Sequence, residues 1–314
     1  MLTRPVQRWR LLALACALIV IAAGCKDNKA AKAHLQEAYI KQAEMKTYRF
    51  EGEAALTMPL QATGNINPVY AAVLSTFRDS RLEWSGISSS DPVRFEGTVK
   101  ITPKDSPAAV EIPVILKDSK LALSIPLLNK PGEYTVADLT ALGDKQGAPS
   151  VIQPEHLKAS GELMRTIMNT LIDSLDPAWF TEQPQQFTVH VDEKNLDQAS
   201  AALTPQLPLL VDALKQYSLL GAETADKLKK QAASSKLALK APTDIQVHVD
   251  ENGFIRDQTA SLVFDFTNDS GKAYAYQLKL TQRYSDINSS SITFEKEIPA
   301  SSKPLEQILR LLSK

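Results

Sequence analysis

The sequence predicts an α+β fold, a large curved antiparallel β-sheet covered by helices. Three observations carry that expectation. Apolar residues alternate with polar ones over long stretches, in two separate blocks of the chain. Between and around those blocks lie segments with apolar residues at three- and four-residue spacing, the helical period. Turn signals of the Asx-Gly kind separate the strands of the second block.

The elements follow in order. Residues 27–46 read as a helix, with Ala31, Leu35, Ala38, Tyr39, Gln42 and Met45 recurring on one face. The period then falls to two. Tyr48, Phe50, Gly52, Ala54, Leu56 and Met58 alternate with Arg49, Glu51, Glu53, Ala55 and Thr57. Such alternation marks a strand with one buried and one wet face, and so an antiparallel sheet. A short helix is expected over 68–78. The strand pattern returns at Leu82, Trp84 and Gly86, and again at Val93, Phe95, Gly97, Val99 and Ile101. Val110 to Lys117 and Leu121 to Ile125 are shorter strands, joined through Asp118-Ser119-Lys120. Arg-Phe-Glu-Gly occurs at 49–52 and at 94–97. It reads as one physical demand met twice, an inward aromatic, an outward ion pair and a glycine where the sheet bends, the alternative being an internal duplication.

Gly143, Gly147, Pro149 and Pro154 punctuate a break over 141–154. Next, Leu157, Leu163, Met164, Ile167, Met168, Leu171, Ile172 and Leu175 form a wide apolar helical stripe. Asp176-Pro177 suits a helix start. Phe187, Val189 and Val191 form a strand, and 195–235 reads as mostly helical. Ile245, Val247 and Val249 lead into the hairpin signal Asp250-Glu251-Asn252-Gly253. Ala260, Leu262, Phe264 and Phe266 follow it; Tyr274, Tyr276, Leu278 and Leu280 come after a second turn at 268–271. Ile292 and Phe294 are assigned to a last strand, and Lys303 to Leu312 to an amphipathic helix. About ten strands result. A sheet of that size must curl, and the helical stripes are the available cover for its apolar face.

The N-terminus reads as a signal peptide. Arg4, Arg8 and Arg10 form a basic start, and Leu11 to Ala23 is an apolar run of 13 residues. A membrane span needs roughly 20, so the run suits an export signal. The string Ile21-Ala22-Ala23-Gly24-Cys25 resembles the lipobox of bacterial lipoproteins. That resemblance implies cleavage before Cys25, lipid on its thiol, and a protein held on a bacterial cell membrane, facing away from the cytoplasm. Lys26, rather than Asp, follows the cysteine, which by the same analogy permits an outer membrane where the envelope has one.

Cleavage would also remove Cys16, the other cysteine. The mature chain would then have no free thiol, no disulfide, no cysteine nucleophile and no thiolate metal site. The whole chain has 35 basic and 36 acidic residues. Without the three leader arginines it has 32 against 36, a net charge of −4. Nothing in that balance points to a nucleic-acid partner.

The lipobox, first helix, alternating strands, central helices and closing hairpins together resemble the LolA/LppX-like bacterial lipoproteins. Val247-His248-Val249-Asp250-Glu251-Asn252-Gly253-Phe254-Ile255 is similar to a hairpin segment found there. The resemblance implies a half-barrel, roofed by helices, that holds an acyl chain or lipid. It divides the chain into a signal peptide (1–24), a lipid-anchored N-terminus with the first helix (25–46), and one LolA/LppX-like α+β domain (47–314). Residues 155–242 form the mainly helical middle of that domain.

Chemistry is sparse. His190 and His248 lie in identical Val-His-Val-Asp strings, at 189–192 and 247–250. Were their strands neighbours, two His and two Asp could converge on zinc. Both pairs oppose the Val residues, however, and so read as a solvated strand face; no metal site is assigned. His34 and His156 have no nameable partner. Ser88-Ser89-Ser90 and Ser289-Ser290-Ser291 read as loops. There is no Gly-x-Ser-x-Gly elbow and no glycine-rich phosphate cradle. No catalytic residue, enzyme activity or cofactor is expected. Trp84, Phe95, Met164, Met168, Phe264 and Phe266 are the candidates for lining a lipid cavity; they serve equally well as a filled core. The function expected is binding of an apolar ligand, the alternative being docking of an envelope protein with a packed interior.

Overall fold

Two chain segments far apart in sequence meet at the middle of one sheet. Strand β1 (Thr47–Thr57) pairs with β2 (Arg81–Ser90) on one side and with β11 (Ala273–Ser285) on the other, both antiparallel. The structure is a computed structural model. It describes residues 27–57, 79–104, 108–126, 128–140, 160–217, 220–268 and 270–305. The leader, Cys25, the helix expected over 68–78, the break at 141–154, His156 and most of the expected terminal helix lie outside the described residues.

From β2 the sheet continues through β3 (Val93–Thr102), β4 (Val110–Lys117), β5 (Lys120–Leu123) and β6 (Thr135–Asp138). From β11 it continues through β10 (Ile255–Thr267), β9 (Lys236–Val249), β8 (Gln186–Val191) and β7 (Phe180–Gln183). A two-residue strand, β12 (Lys303–Pro304), adds in parallel to β6. The twelve strands form one open sheet, antiparallel except at that edge. The fold is α+β, as the alternation predicts.

Register puts the inward positions of neighbouring strands opposite one another. Phe50 faces Gly86 and Tyr284; Phe95 faces Ser88 and Leu116; Val247 faces Gln258 and Phe187. We call this the inner face. Gly86 is required by its surroundings: a Cβ there would sit 2.2 Å from the carbonyl oxygen of Glu96 and 2.9 Å from the Phe50 ring. The β9–β10 hairpin closes as expected. Asp250 Oδ1 accepts from the backbone N–H of Asn252 and Phe254, at 2.9 and 3.0 Å, and Gly253 takes φ +80°.

The helices gather over one end of the sheet. Helix α1 (Asn28–Gln42) starts at Asp27, whose carboxylate accepts from Lys29 N and Ala30 N, the usual N-cap role. Its inward residues Ala31, Leu35, Ala38 and Tyr39 are buried against Ile172, Phe180, Val247 and Ile255. Helix α2 (Ser160–Ser174) lies beside α1. The α1 residue Lys32 donates to the carbonyls of Asp173 and Leu175 at 3.0 and 2.7 Å, capping the end of α2. Helix α3 (Leu196–Leu203) packs on β9. Helices α4 (Leu207–Gln216) and α5 (Ala222–Ser234) pack on each other.

Several expectations need correction. Asp176-Pro177 opens only a single 3-10 turn (Pro177–Trp179), because the chain must turn at once into edge strand β7. Ser88 to Ser90 belong to β2 rather than a loop; Ser88 is paired on both sides, with Tyr48 and Phe95. Strand β9 begins at Lys236, inside the stretch read as mainly helical. Ile292 and Phe294 form no strand. Their segment crosses the outer face of β3 instead, where the Glu96 carboxylate accepts from Glu295 N (3.2 Å) and Lys296 N (2.9 Å). The backbone there bonds a side chain rather than a sheet edge.

Candidate functional site

The inner face of β1–β5 rises away from the helices and leaves a cleft of ≈ 480 Å³. The volume lies within the range of about 300–1,000 Å³ typical of small-molecule sites. The sheet supplies its floor. Phe95 stacks on Phe50 with centroids 5.2 Å apart, Tyr48 meets Phe50 edge-on at 6.2 Å, and Tyr284 meets Tyr48 edge-on at 5.7 Å. This aromatic row crosses four adjacent strands, from β11 to β3. Val114, Leu116 and Leu121 extend the apolar surface onto β4 and β5.

Helices α1 and α2 supply the facing wall. They approach closely where Gly161 meets Ala43: a Cβ on the glycine would lie 3.1 Å from the Ala43 Cα. Met164 reaches the cleft from α2 and is 47% exposed, unusually open for a large apolar residue. The end of α1 brings Tyr39, Gln42 and, just beyond the helix, Met45. The Tyr39 hydroxyl donates to Gln258 Oε1 at 3.1 Å, and burial pushes its phenol well above the usual tyrosine range.

Polar groups are few. Ser88, Ser89 and Ser90 mark one side, with Ser89 buried. Arg94 contributes to the lining, but its guanidinium serves the outer face. There its Nη2 donates to Glu96 Oε1 and to the carbonyls of Phe294 and Lys296. Among the described residues that line the cleft, none is Asp, Glu, His or Cys.

The six expected ligand contacts are split. Phe95, on the sheet, and Met164, on α2, both line the cleft. Trp84 lies farther along β2, its indole N–H donating to Gln282 Oε1 at 2.7 Å. Met168 packs on the core beneath α1. Phe264 packs with Val191, Ala199 and Leu239 beneath α3 and stacks on Tyr276 at 5.2 Å. Phe266 is half-buried opposite Tyr274. The contacts missed from sequence include Tyr39, Gln42, Met45, Tyr48 and Tyr284. Gln42 could have been noticed as an amide recurring within an otherwise apolar helical stripe.

The two Val-His-Val-Asp strings do occupy neighbouring strands, β8 and β9. Their register keeps them apart, pairing His190 with Asp244 and His248 with Gln186. His248 Nδ1 lies 2.6 Å from Asp257 Oδ1, and His190 Nε2 lies 3.4 Å from Thr181 Oγ1. Among the described residues no three His, Cys, Asp or Glu side chains are placed to hold a metal ion. His34 Nδ1 lies 2.9 Å from Glu182 Oε2, and this partner holds the His34 pKa above its ordinary value. Among the described residues no helix is long and apolar enough to cross a membrane.

No family model matches the chain, and no curated protein matches it. Among solved structures, LprF from Mycobacterium bovis aligns with 88% of this chain and 99% of its own, at 11% identity and a TM-score of 0.35. A beta-barrel-like protein of unknown function from Brucella abortus aligns with 77% of this chain and 100% of its own, at 10% identity and a TM-score of 0.18. The fold class rests on the strand pairing itself.

Proposed function

We propose that the protein is a cell-envelope lipoprotein, anchored by lipid on Cys25, that binds an apolar ligand between the sheet and helices α1 and α2 and catalyses no reaction. The observation that carries this reading is the aromatic-floored cleft of ≈ 480 Å³. Hydrocarbon moved from water onto such a surface gains about 0.8 kcal/mol per buried methylene. The described lining, without His or carboxylate, offers no pair for general acid–base work, which supports a binding role. The lipobox-like string at 21–25 and the LolA/LppX-like order of elements support an envelope location and a lipid as ligand.

The test is native mass spectrometry on residues 26–314, purified without detergent from a bacterial envelope. A discrete added mass, lost in organic solvent and identified as lipid, is the expected result. Met164→Trp, which fills the cleft from an exposed position, should lower the occupied fraction. A bare protein mass that takes up no added lipid would overturn the proposal. A second reading, docking of an envelope protein, is favoured by the α4–α5 pair, where Leu209 and Leu228 are exposed. It predicts a partner recovered by cross-linking through those helices.

A further inference from the structure

The Gln42 amide places a buried, unpartnered donor in the cleft wall. Gln42 closes the last turn of α1, and its Oε1 accepts the backbone N–H of Ile255 at 3.0 Å. That bond fixes which end of the amide is which, and leaves Nε2 as the free end. Nε2 is buried and makes no hydrogen bond. The Tyr284 phenol stands close enough for the Gln42 side chain to act on it as a donor, opposing the effect of burial. Tyr284 lines the same cleft. Burial, with Tyr48 beside it, pushes the Tyr284 phenol up, so the hydroxyl keeps its proton. An amide N–H and a phenol O–H thus stand together in an apolar wall. A buried donor left unsatisfied is costly, and an acceptor brought by a ligand removes that cost.

The charge of the acceptor follows from what the cleft lacks. Arg94 is the one basic residue among the described lining; its Nη2 is engaged on the outer face with Glu96, Glu297 and two carbonyls, while its Nε is buried without a partner. A carboxylate or phosphate carried into the cleft would lose its water and, among the described lining, meet only a cation already paired with Glu96 and Glu297, which is unfavourable. A neutral carbonyl incurs a far smaller desolvation cost and can accept both hydrogens. We propose that Gln42 Nε2 and the Tyr284 hydroxyl form a polar subsite that reads the carbonyl of an uncharged acyl ester, with the acyl chain lying on the Phe95 floor. The inference rests on the cleft being the ligand site and adds to it a choice of headgroup chemistry.

The experiment uses three diazirine-bearing probes of equal chain length: a methyl ester, a free carboxylate and a plain hydrocarbon. Each is photolysed with the full chain in cell envelopes, and labelling of the peptides bearing Phe95 and Met164 is quantified. The ester should label about tenfold more than the hydrocarbon, the value of one or two net hydrogen bonds. Tyr284→Phe keeps the ring against Tyr48. Gln42→Glu keeps an acceptor for Ile255 N–H. Each should lower ester labelling more than hydrocarbon labelling, so that the ratio of ester to hydrocarbon falls towards one. Equal labelling by ester and hydrocarbon in the parent protein, or strongest labelling by the carboxylate, overturns the subsite while the cleft stands. If no probe labels those peptides, the ligand cleft itself is overturned, and the subsite with it.

Discussion

The indole of Trp84 lies flat over Gly52 on the neighbouring strand, so close that a Cβ on the glycine would come within 2.6 Å of the ring. From there the indole N–H reaches Gln282 on the next strand at 2.7 Å. One side chain thereby ties β2, β1 and β11 across the join between the two strand blocks. Gln282 is held in turn, its Nε2 donating to the carbonyls of Glu51 and Arg283.

Gly52→Ala should therefore destabilise the fold through crowding. The ring must lift, and its bond to Gln282 lengthens or breaks. Overpacking of this kind costs about 1–3 kcal/mol, readable as a lower urea midpoint together with altered tryptophan fluorescence. Gly86→Ala should cost more, because the clash there is with backbone at 2.2 Å and not with a movable ring. An unchanged midpoint in both variants would refute the account of these glycines.

Glu96 makes a second, separate prediction. It is 6% exposed although it sits on the outer face, because the 293–297 segment covers it. Glu96→Ala removes the acceptor of two backbone N–H groups and one partner of Arg94. A loss of about 2 kcal/mol is expected. Faster proteolysis or hydrogen exchange should follow within 286–302, with little change in β7–β9. Uniform acceleration across the sheet would show that Glu96 does not hold that segment in particular.

The His34–Glu182 pair couples α1 to edge strand β7, and its strength should depend on pH. The folded pKa of His34 lies above the ordinary 6.5 because Glu182 favours the protonated ring. The contribution is thus complete below pH ~6.5 and fades as pH rises through the higher folded value. Both side chains are substantially exposed, so the energy is small and screened by salt. An NMR titration of His34 in the parent and in Glu182→Gln checks this. The variant should titrate nearer 6.5; identical titrations would remove Glu182 as the cause.

The sheet was legible because burial on one face imposes a period of two, and that period survives in the sequence. Tyr48 to Leu56, Val93 to Ile101 and Tyr274 to Leu280 all lie in strands, with their alternating residues on the inner face. Short elements fared worse. The edge strands β7 and β12, and β6 beside β12, span only a few residues, too few for alternation to rise above chance. Ile292 and Phe294 alternate correctly yet lie outside the sheet, since the buried Glu96 carboxylate offers their segment a competing partner. Of the site, Phe95 and Met164 were readable as large apolar residues on inward positions. Met168 and Phe264 carry the same signature and pack into core, because apolar character marks burial but not whether the space opposite is filled. Gln42 and Tyr284 come together from opposite ends of the chain, a pairing that only register and helix docking create.

Asp27 caps α1, and Lys32 pins that helix to the end of α2. Were Cys25 acylated, only residues 26 and 27 would separate it from the first helical residue, a leash of roughly 7 Å at full stretch. A leash so short allows no reach into the envelope. The domain would ride on the lipid headgroups, its swivel limited by the start of a docked helix. The cleft lies at the far end of that helix, about 22 Å away by its fifteen residues of rise. Were that helix to stand upright on the membrane, a lipid entering the cleft would have to leave the bilayer wholly, and the protein would offer other envelope components cargo held at a fixed stand-off.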